Sequence, residues 1–199
     1  GSRARRLSSV ARSPLLSQLL LATTCAAAFV LLGRAVADAP TQADLDAARL
    51  AALLGTLVVG PLLELFNSMG QALVWSGVLA LIAIACAVRR RWDVLVLLVA
   101  GAFSEIAVAF SKAFFDRARP LPVFGDQISG LDAGSYPSGH VTRVLITFGV
   151  IALHATPRRW RPAAVVLTAL TVAVMALARV AALEHWLTDT LGGVLLGTT

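Results

Sequence analysis

The 199-residue chain is 58% hydrophobic and only 14% charged, with a mean hydropathy of +0.81. That excludes an ordinary soluble domain, and because the apolar residues come in long Ala- and Leu-rich runs without period-2 alternation, it excludes strands as well and leaves membrane-spanning helices. A net charge of +6 does not indicate nucleic acid: most basic residues sit in short tracts at helix ends, with no basic stripe interleaved with stacking aromatics.

Residues 1–14 form a basic, Ser-rich start carrying Arg3, Arg5, Arg6 and Arg12, expected on the cytoplasmic side. Residues 15–37 are the first apolar run, about 34 Å long as a helix and sufficient to span. The basic start followed by Ala35-Val36-Ala37 also fits a cleavable signal peptide. The apolar region is long for one, so a retained helix is expected. Residues 40–68 open with Pro40, Thr41 and Asp44, a good helix start, and are interrupted by Pro61 and Glu64. This pattern predicts an interfacial helical segment or a re-entrant pair rather than a span.

Residues 70–88 form the second predicted span, closed by Arg89, Arg90 and Arg91. The third covers residues 92–115, and residues 116–136 make an extracytoplasmic loop rich in Pro, Gly, Asp and Ser. Residues 138–155 form the fourth span and are followed by Arg158, Arg159 and Arg161. Residues 162–179 form the fifth. Residues 186–199 begin a sixth that is too short to cross, so the chain is expected to continue past Thr199. The basic tracts alternate with the spans as a single orientation requires, which places 89–91 and 157–161 inside and 116–136 outside. The expectation is an all-α, six-helix polytopic membrane bundle forming one domain over residues 1–199. Cys25 and Cys86 lie inside apolar runs, and no Cys/His spacing marks a metal site.

Three clusters fall where apolar runs meet the outer side. Lys112, the only lysine, precedes Arg119-Pro120 by seven residues. Pro137-Ser138-Gly139-His140 opens the fourth span. Arg179, His185 and Asp189 close the fifth and open the sixth. A point charge and a planar guanidinium can hold different oxygens of one phosphate, and proline at 120 pushes Arg119 off the helix end. Ser138 caps a helix whose N-terminus, thinned by Gly139, can meet an anion directly. His185 and Asp189, four apart, share a helical face. An Asp that accepts from one ring nitrogen leaves the other free to attack. Together these residues can grip a phosphate and break a bond to it without a metal or other cofactor.

Lys112-x6-Arg119-Pro120, Pro137-Ser138-Gly139-His140 and Ala178-Arg179-x5-His185-x3-Asp189 resemble the three motifs of the integral-membrane type 2 phosphatidic acid phosphatase superfamily. The resemblance covers residues 92–199 well and the first 91 only through the helix pattern. Ala178 departs from it, standing where the family usually has Ser. The resemblance implies that His185 is the nucleophile forming a phosphohistidine, oriented by Asp189, and that His140 protonates the leaving oxygen. Lys112, Arg119, Arg179, Ser138 and the Gly139 N–H would then neutralise the transferred phosphoryl.

The expected activity is metal-independent hydrolysis of a lipid phosphate or diphosphate, of the polyprenyl diphosphate, phosphatidate or phosphatidylglycerol phosphate class. The substrate would be held among membrane lipids at the outer face of a bacterial-type inner membrane. A lipid phosphotransferase using the same histidine is the alternative. A transporter would need polar residues through the full bilayer depth, which this sequence lacks. Glu105, seven residues before Lys112 and about 10 Å deeper, and Arg143, one turn into the fourth span, fit neither the motifs nor a bland span. An ion pair between them would offset the cost of about 2.5–3.5 kcal/mol for a charge near mid-bilayer.

Overall fold

The computed structural model describes residues 14–55, 60–120 and 134–199, and every regular element among them is helical. The basic start and residues 121–133 of the predicted loop lie outside the described residues. In chain order the helices are α1 (Pro14–Val36), α2 (Gln42–Gly55), α3 (Gly60–Met69), α4 (Ala72–Val88), α5 (Trp92–Ala102), α6 (Ser104–Phe115), α7 (Gly139–Val150), α8 (Arg161–Ala181) and α9 (Leu187–Thr198). A π-helical turn, Ile151–Ala155, extends α7.

Large apolar side chains project outward along these helices. Leu73, Phe110 and Val88 are 87%, 76% and 78% exposed, a surface that a bilayer covers and water would not tolerate. Among the described residues three helical stretches are long and apolar enough to cross: Leu15–Val36, Trp92–Phe115 (α5 and α6 together) and Arg158–Ala181. A fourth crossing arises if Gly60–Met69 and Leu73–Val88, bent by 65° against each other, act as one. The sequence predicts six. The difference lies in the short elements: α7 with its π-helical turn covers Gly139–Ala155 and α9 has 12 residues, about 25 and 18 Å of helix against a hydrocarbon core of about 30 Å. The predicted interfacial segment contains two helices, α2 and α3, which both pack on α8.

The basic tracts at 89–91 and 158–161 gather at one end of the bundle. Arg91 hydrogen-bonds Asp93 and donates to the His154 carbonyl at 2.6 Å, joining the α4–α5 turn to the end of α7. Trp92 and Trp160, each 58% exposed, flank these tracts as interfacial aromatics do. The opposite end holds the motif residues. There α9 packs against both α7 and α1, and two glycines permit the approach. A Cβ on Gly193 would stand 2.7 Å from the Ser138 carbonyl oxygen, and one on Gly192 would strike the Tyr136 ring.

Tyr136, fully buried, locks the same end. Its ring stacks on Phe29 (5.2 Å between centroids) and meets Phe115 edge-on (5.1 Å). Its hydroxyl donates to the Phe29 carbonyl at 2.7 Å. One aromatic therefore fixes the segment entering α7 to α1 and to the end of α6.

Candidate active site

Four chain segments converge at this end. The first is the exit of α6. Lys112 lies in its last turn and is buried. Asp116, at φ 44° and ψ 38°, closes the helix in the left-handed conformation, and the chain leaves without regular structure through Arg117, Ala118 and Arg119, as the proline at 120 predicts. The return segment pairs with it: the Ser135 N–H donates to the Arg117 carbonyl at 2.8 Å.

The second segment is the start of α7. Ser138 takes the N-cap position with extended dihedrals, but its hydroxyl makes no capping bond. Instead its backbone N–H donates to the Asp189 carbonyl at 2.9 Å. The Thr142 hydroxyl lies 3.1 Å from both the Ser138 and the Gly193 carbonyl oxygens. The mouth of α7 is thereby fastened to α9.

The third is the turn between α8 and α9. Leu183, at φ 55°, reverses the chain, and the Glu184 and His185 N–H groups both donate to the Arg179 carbonyl. This local turn places Arg179 and His185 side by side. Arg179 is nearly fully buried, and its guanidinium donates to Asn67 on α3 and to Glu184. Asn67 also donates to Glu184 at 3.2 Å. Arg119 approaches the same residue, 3.4 Å from its carbonyl oxygen and 3.8 Å from its carboxylate. The two arginines from separate motifs thus meet around one carboxylate.

The two histidines meet here as well. His140, His185, Lys112 and Arg179 lie close enough to act on one another's charge. The His185 ring is fully buried, and burial, with the charges of Arg179, Lys112 and Arg119, holds it well below the usual histidine range, only partly offset by the Ser135 backbone. It is neutral at physiological pH, as a nucleophile must be. Ser138 Oγ, His140 Nε2, Arg179 Nε, Arg117 Nε and His185 Nδ1 are among the buried polar atoms that have no hydrogen-bond partner among the described residues. Buried groups of this kind mark a place built for a polar ligand.

The His185–Asp189 pair is less direct than its spacing predicts. The His185 Nδ1 to Asp189 Oδ2 distance is 3.5 Å, beyond a good hydrogen bond. The short bonds of Asp189 go elsewhere: Oδ2 accepts from the Trp186 N–H at 2.8 Å and Oδ1 from Arg117 Nη1 at 2.5 Å. Arg117 in turn donates from Nη2 to Asp44 Oδ2 at 2.8 Å. Asp44, Asn67, Arg117 and Glu184 are site residues that sequence reasoning missed. Arg117 had a readable signal, since it stands two before Arg119 in the same motif segment.

The Glu105–Arg143 pair is present and bidentate, with Nε–Oε1 at 2.6 Å and Nη2–Oε2 at 2.8 Å. A third bond runs from Arg143 Nη1 to the Gly70 carbonyl at 2.9 Å. The pair lies directly beneath the mouth of α7, since a Cβ on Gly139 would stand 3.4 Å from Arg143 Nη2 and one on Gly70 would strike the His140 ring. Glu105→Gln or Arg143→Met alone should lower the melting temperature in detergent by roughly 4–8 °C, about 2 kcal/mol, because each leaves its partner uncompensated. The double variant should lose less than the worse single. Additive losses across the cycle would remove the pair from the account.

Among the described residues no group of three or more His, Cys, Asp and Glu could hold a metal ion. Lys112, Arg119 and Arg179 bring three cationic groups to the site, with the Glu184 carboxylate beside the two arginines.

The sequence profile of the PAP2 superfamily matches residues 93–199, 107 of the 199 residues and so just over half of the chain. Among curated protein sequences no relative matches. Among solved structures, the crystal structure of a transmembrane PAP2-type phosphatidylglycerolphosphate phosphatase from Bacillus subtilis is similar, with a TM-score of 0.71 at 20% identity, covering 89% of this chain and 90% of that one. The likeness covers more of the chain than the family profile does and so reaches into the first 92 residues.

Proposed function

This membrane protein belongs to the PAP2 superfamily, and from that premise we propose that it is a lipid phosphatase that hydrolyses a lipid phosphate or diphosphate through a phosphohistidine on His185. One observation carries the reading. Three motifs, up to 77 residues apart in the chain, meet as three cations and two imidazoles at one end of a bundle whose flanks are apolar. The phosphoryl group sits among Lys112, Arg119 and Arg179, taking both guanidiniums over from Glu184, with the Ser138 hydroxyl and the Gly139 N–H on its remaining oxygens. The free nitrogen of His185 attacks phosphorus while the bond to the leaving oxygen breaks. His140 delivers a proton to that oxygen and then takes one from the water that opens the phosphohistidine. Phosphoryl transfer demands mainly positioning and charge neutralisation, and the cations supply both.

The basic tracts at the far end favour a site facing the exterior, the periplasm of a bacterial inner membrane. A thiol at Asp38→Cys and one at Arg90→Cys, in a background lacking Cys25 and Cys86, should react with an impermeant reagent from opposite sides. Labelling of both from outside would refute this placement.

The decisive experiment is phosphate release in detergent from phosphatidate, phosphatidylglycerol phosphate and a polyprenyl diphosphate, with and without EDTA. We expect release from at least one of them, unchanged by the chelator. Loss of activity in EDTA, restored by one divalent metal, would show that the charge chemistry is misassigned. Transfer of the phosphoryl to an added lipid alcohol in preference to water would turn the reading into a phosphotransferase.

A further inference from the structure

The strongest observation the motifs leave unused is a buried chain of charge running from α2 to the nucleophile. Arg117 is 2% exposed, and the two carboxylates it bridges, Asp44 and Asp189, are each 0% exposed. Its Nη1 also donates to the Thr188 hydroxyl at 2.7 Å. Asp44 accepts from the Thr188 N–H at 2.9 Å, and the Thr188 hydroxyl lies 2.9 and 3.0 Å from its two oxygens. Asp44 thus holds both the arginine on Asp189 and the first turn of the helix that carries Asp189. It stands in the N-terminal part of the chain, outside the region the family profile matches.

A bland role exists for Asp44. It caps its own helix: the Thr41 N–H donates to Asp44 Oδ2 at 2.9 Å, and the Asp44 N–H donates to the Thr41 hydroxyl at 3.1 Å. Capping, however, is done well by exposed acids. It explains neither the complete burial nor the bonds to Arg117 and Thr188. Although burial alone would raise the Asp44 carboxyl, the Thr188 and Thr41 N–H groups and Arg117 outweigh it and keep it ionised.

The count of charges gives the reason. When His185 attacks phosphorus, its new N–P bond leaves the ring cationic while the electron pair of the broken bond departs with the leaving oxygen. A negative charge beside the ring stabilises that state. Asp189 alone cannot supply it, because Arg117 lies against it at 2.5 Å and cancels its charge. With Asp44 on the other arm of the guanidinium, the group of three carries a net charge of −1 when both carboxylates are ionised, the form that their bonds to Arg117 favour.

We propose that Asp44 is a positioning residue for the reaction, acting through Arg117 to leave Asp189 with an uncancelled negative charge facing His185. The proposal rests on the phosphohistidine reading. The other charged and titratable groups around His185 are Lys112 from α6, Arg119 from the segment after it, His140 from α7, Arg179 from α8, and Glu184 from its own turn. All but Glu184 are cationic or can become so, and Glu184 lies with Arg179, Arg119 and Asn67 rather than against Asp189. Asp44 is therefore the carboxylate that decides the sign of the field on the Asp189 side.

The test compares Asp44→Asn, which keeps an acceptor for Thr188 but brings the group to zero charge, with Asp44→Asn/Arg117→Gln, which returns it to −1. Rates are measured on the lipid phosphate the wild-type protein cleaves best, with thermal unfolding in detergent recorded alongside. Asp44→Asn should lower kcat by roughly 10- to 100-fold while KM stays within about 3-fold. The double variant should regain at least about 5-fold over the single, and Asp44→Glu should stay close to wild type.

A double variant that is no more active than the single would overturn the proposal and leave Asp44 a structural cap. If Asp44→Asn does not fold, the double decides alone. Activity within about 10-fold of wild type supports the charge count, and a double that is also unfolded or inactive rules it out. A wild-type protein inactive on every lipid phosphate would instead bring down the phosphatase reading itself.

Discussion

His185→Ala should lower turnover by roughly 10⁴-fold or more, to the level of the uncatalysed background on any lipid phosphate the wild-type protein cleaves. The imidazole is fully buried, neutral, and surrounded by Arg179, Lys112 and Arg119, so no neighbouring group can replace its lone pair. Asp189→Asn should leave turnover roughly a hundredfold above that of His185→Ala, since it removes charge and orientation but not the attacking atom. His140→Ala should be least harmful with a nitrophenyl phosphate, whose leaving group needs no proton. Acid-quenched samples should contain acid-labile, protein-bound phosphate in the wild type and none in His185→Ala. Wild-type activity in His185→Ala would end the mechanism.

Arg179→Lys should lower kcat/KM by roughly 10²- to 10³-fold, the range for losing one preorganised contact to developing charge. The substitution keeps the charge but not the fork. Arg179 now divides its two arms between Asn67 and Glu184, a geometry that two phosphate oxygens can inherit and a single ammonium cannot. Vanadate, which adopts the five-coordinate geometry of phosphoryl transfer, should lose affinity by a comparable factor, while inorganic phosphate loses less. A loss below about 3-fold in both measurements would mean that Arg179 serves Glu184 and not the substrate.

The sequence disclosed the site unevenly. Lys112, Arg119, His140, Arg179 and His185 were readable because charge and imidazole at the ends of apolar runs have few cheap explanations. Glu105 and Arg143 were readable for the same reason, and the bidentate pair is where helix spacing places it. Asp44 looked like an ordinary first-turn acid, and its bonds reach Arg117 and Thr188, 73 and 144 residues away. No local pattern carries contacts of that separation. Asn67 was hidden in a Leu-rich stretch for the same reason. Helix number was the weakest part of the fold reading. Composition marks an apolar run but not whether a short helix such as α7 or α9 finishes a crossing or stops inside the bundle.

The way α1 to α3 reach into the site bears on anyone who would build a smaller enzyme from this chain. Residues 92–199 contain every motif and would look, on paper, like a self-sufficient catalytic cassette. Such an excised piece would carry Arg117 without Asp44, Arg179 without Asn67, and Tyr136 without the Phe29 carbonyl that its hydroxyl engages. The recognisable half supplies the reagents, while the anonymous half supplies counterions and scaffolding. A minimal catalyst would therefore have to be grafted together with its N-terminal helices, or be given surrogate carboxylates in their place.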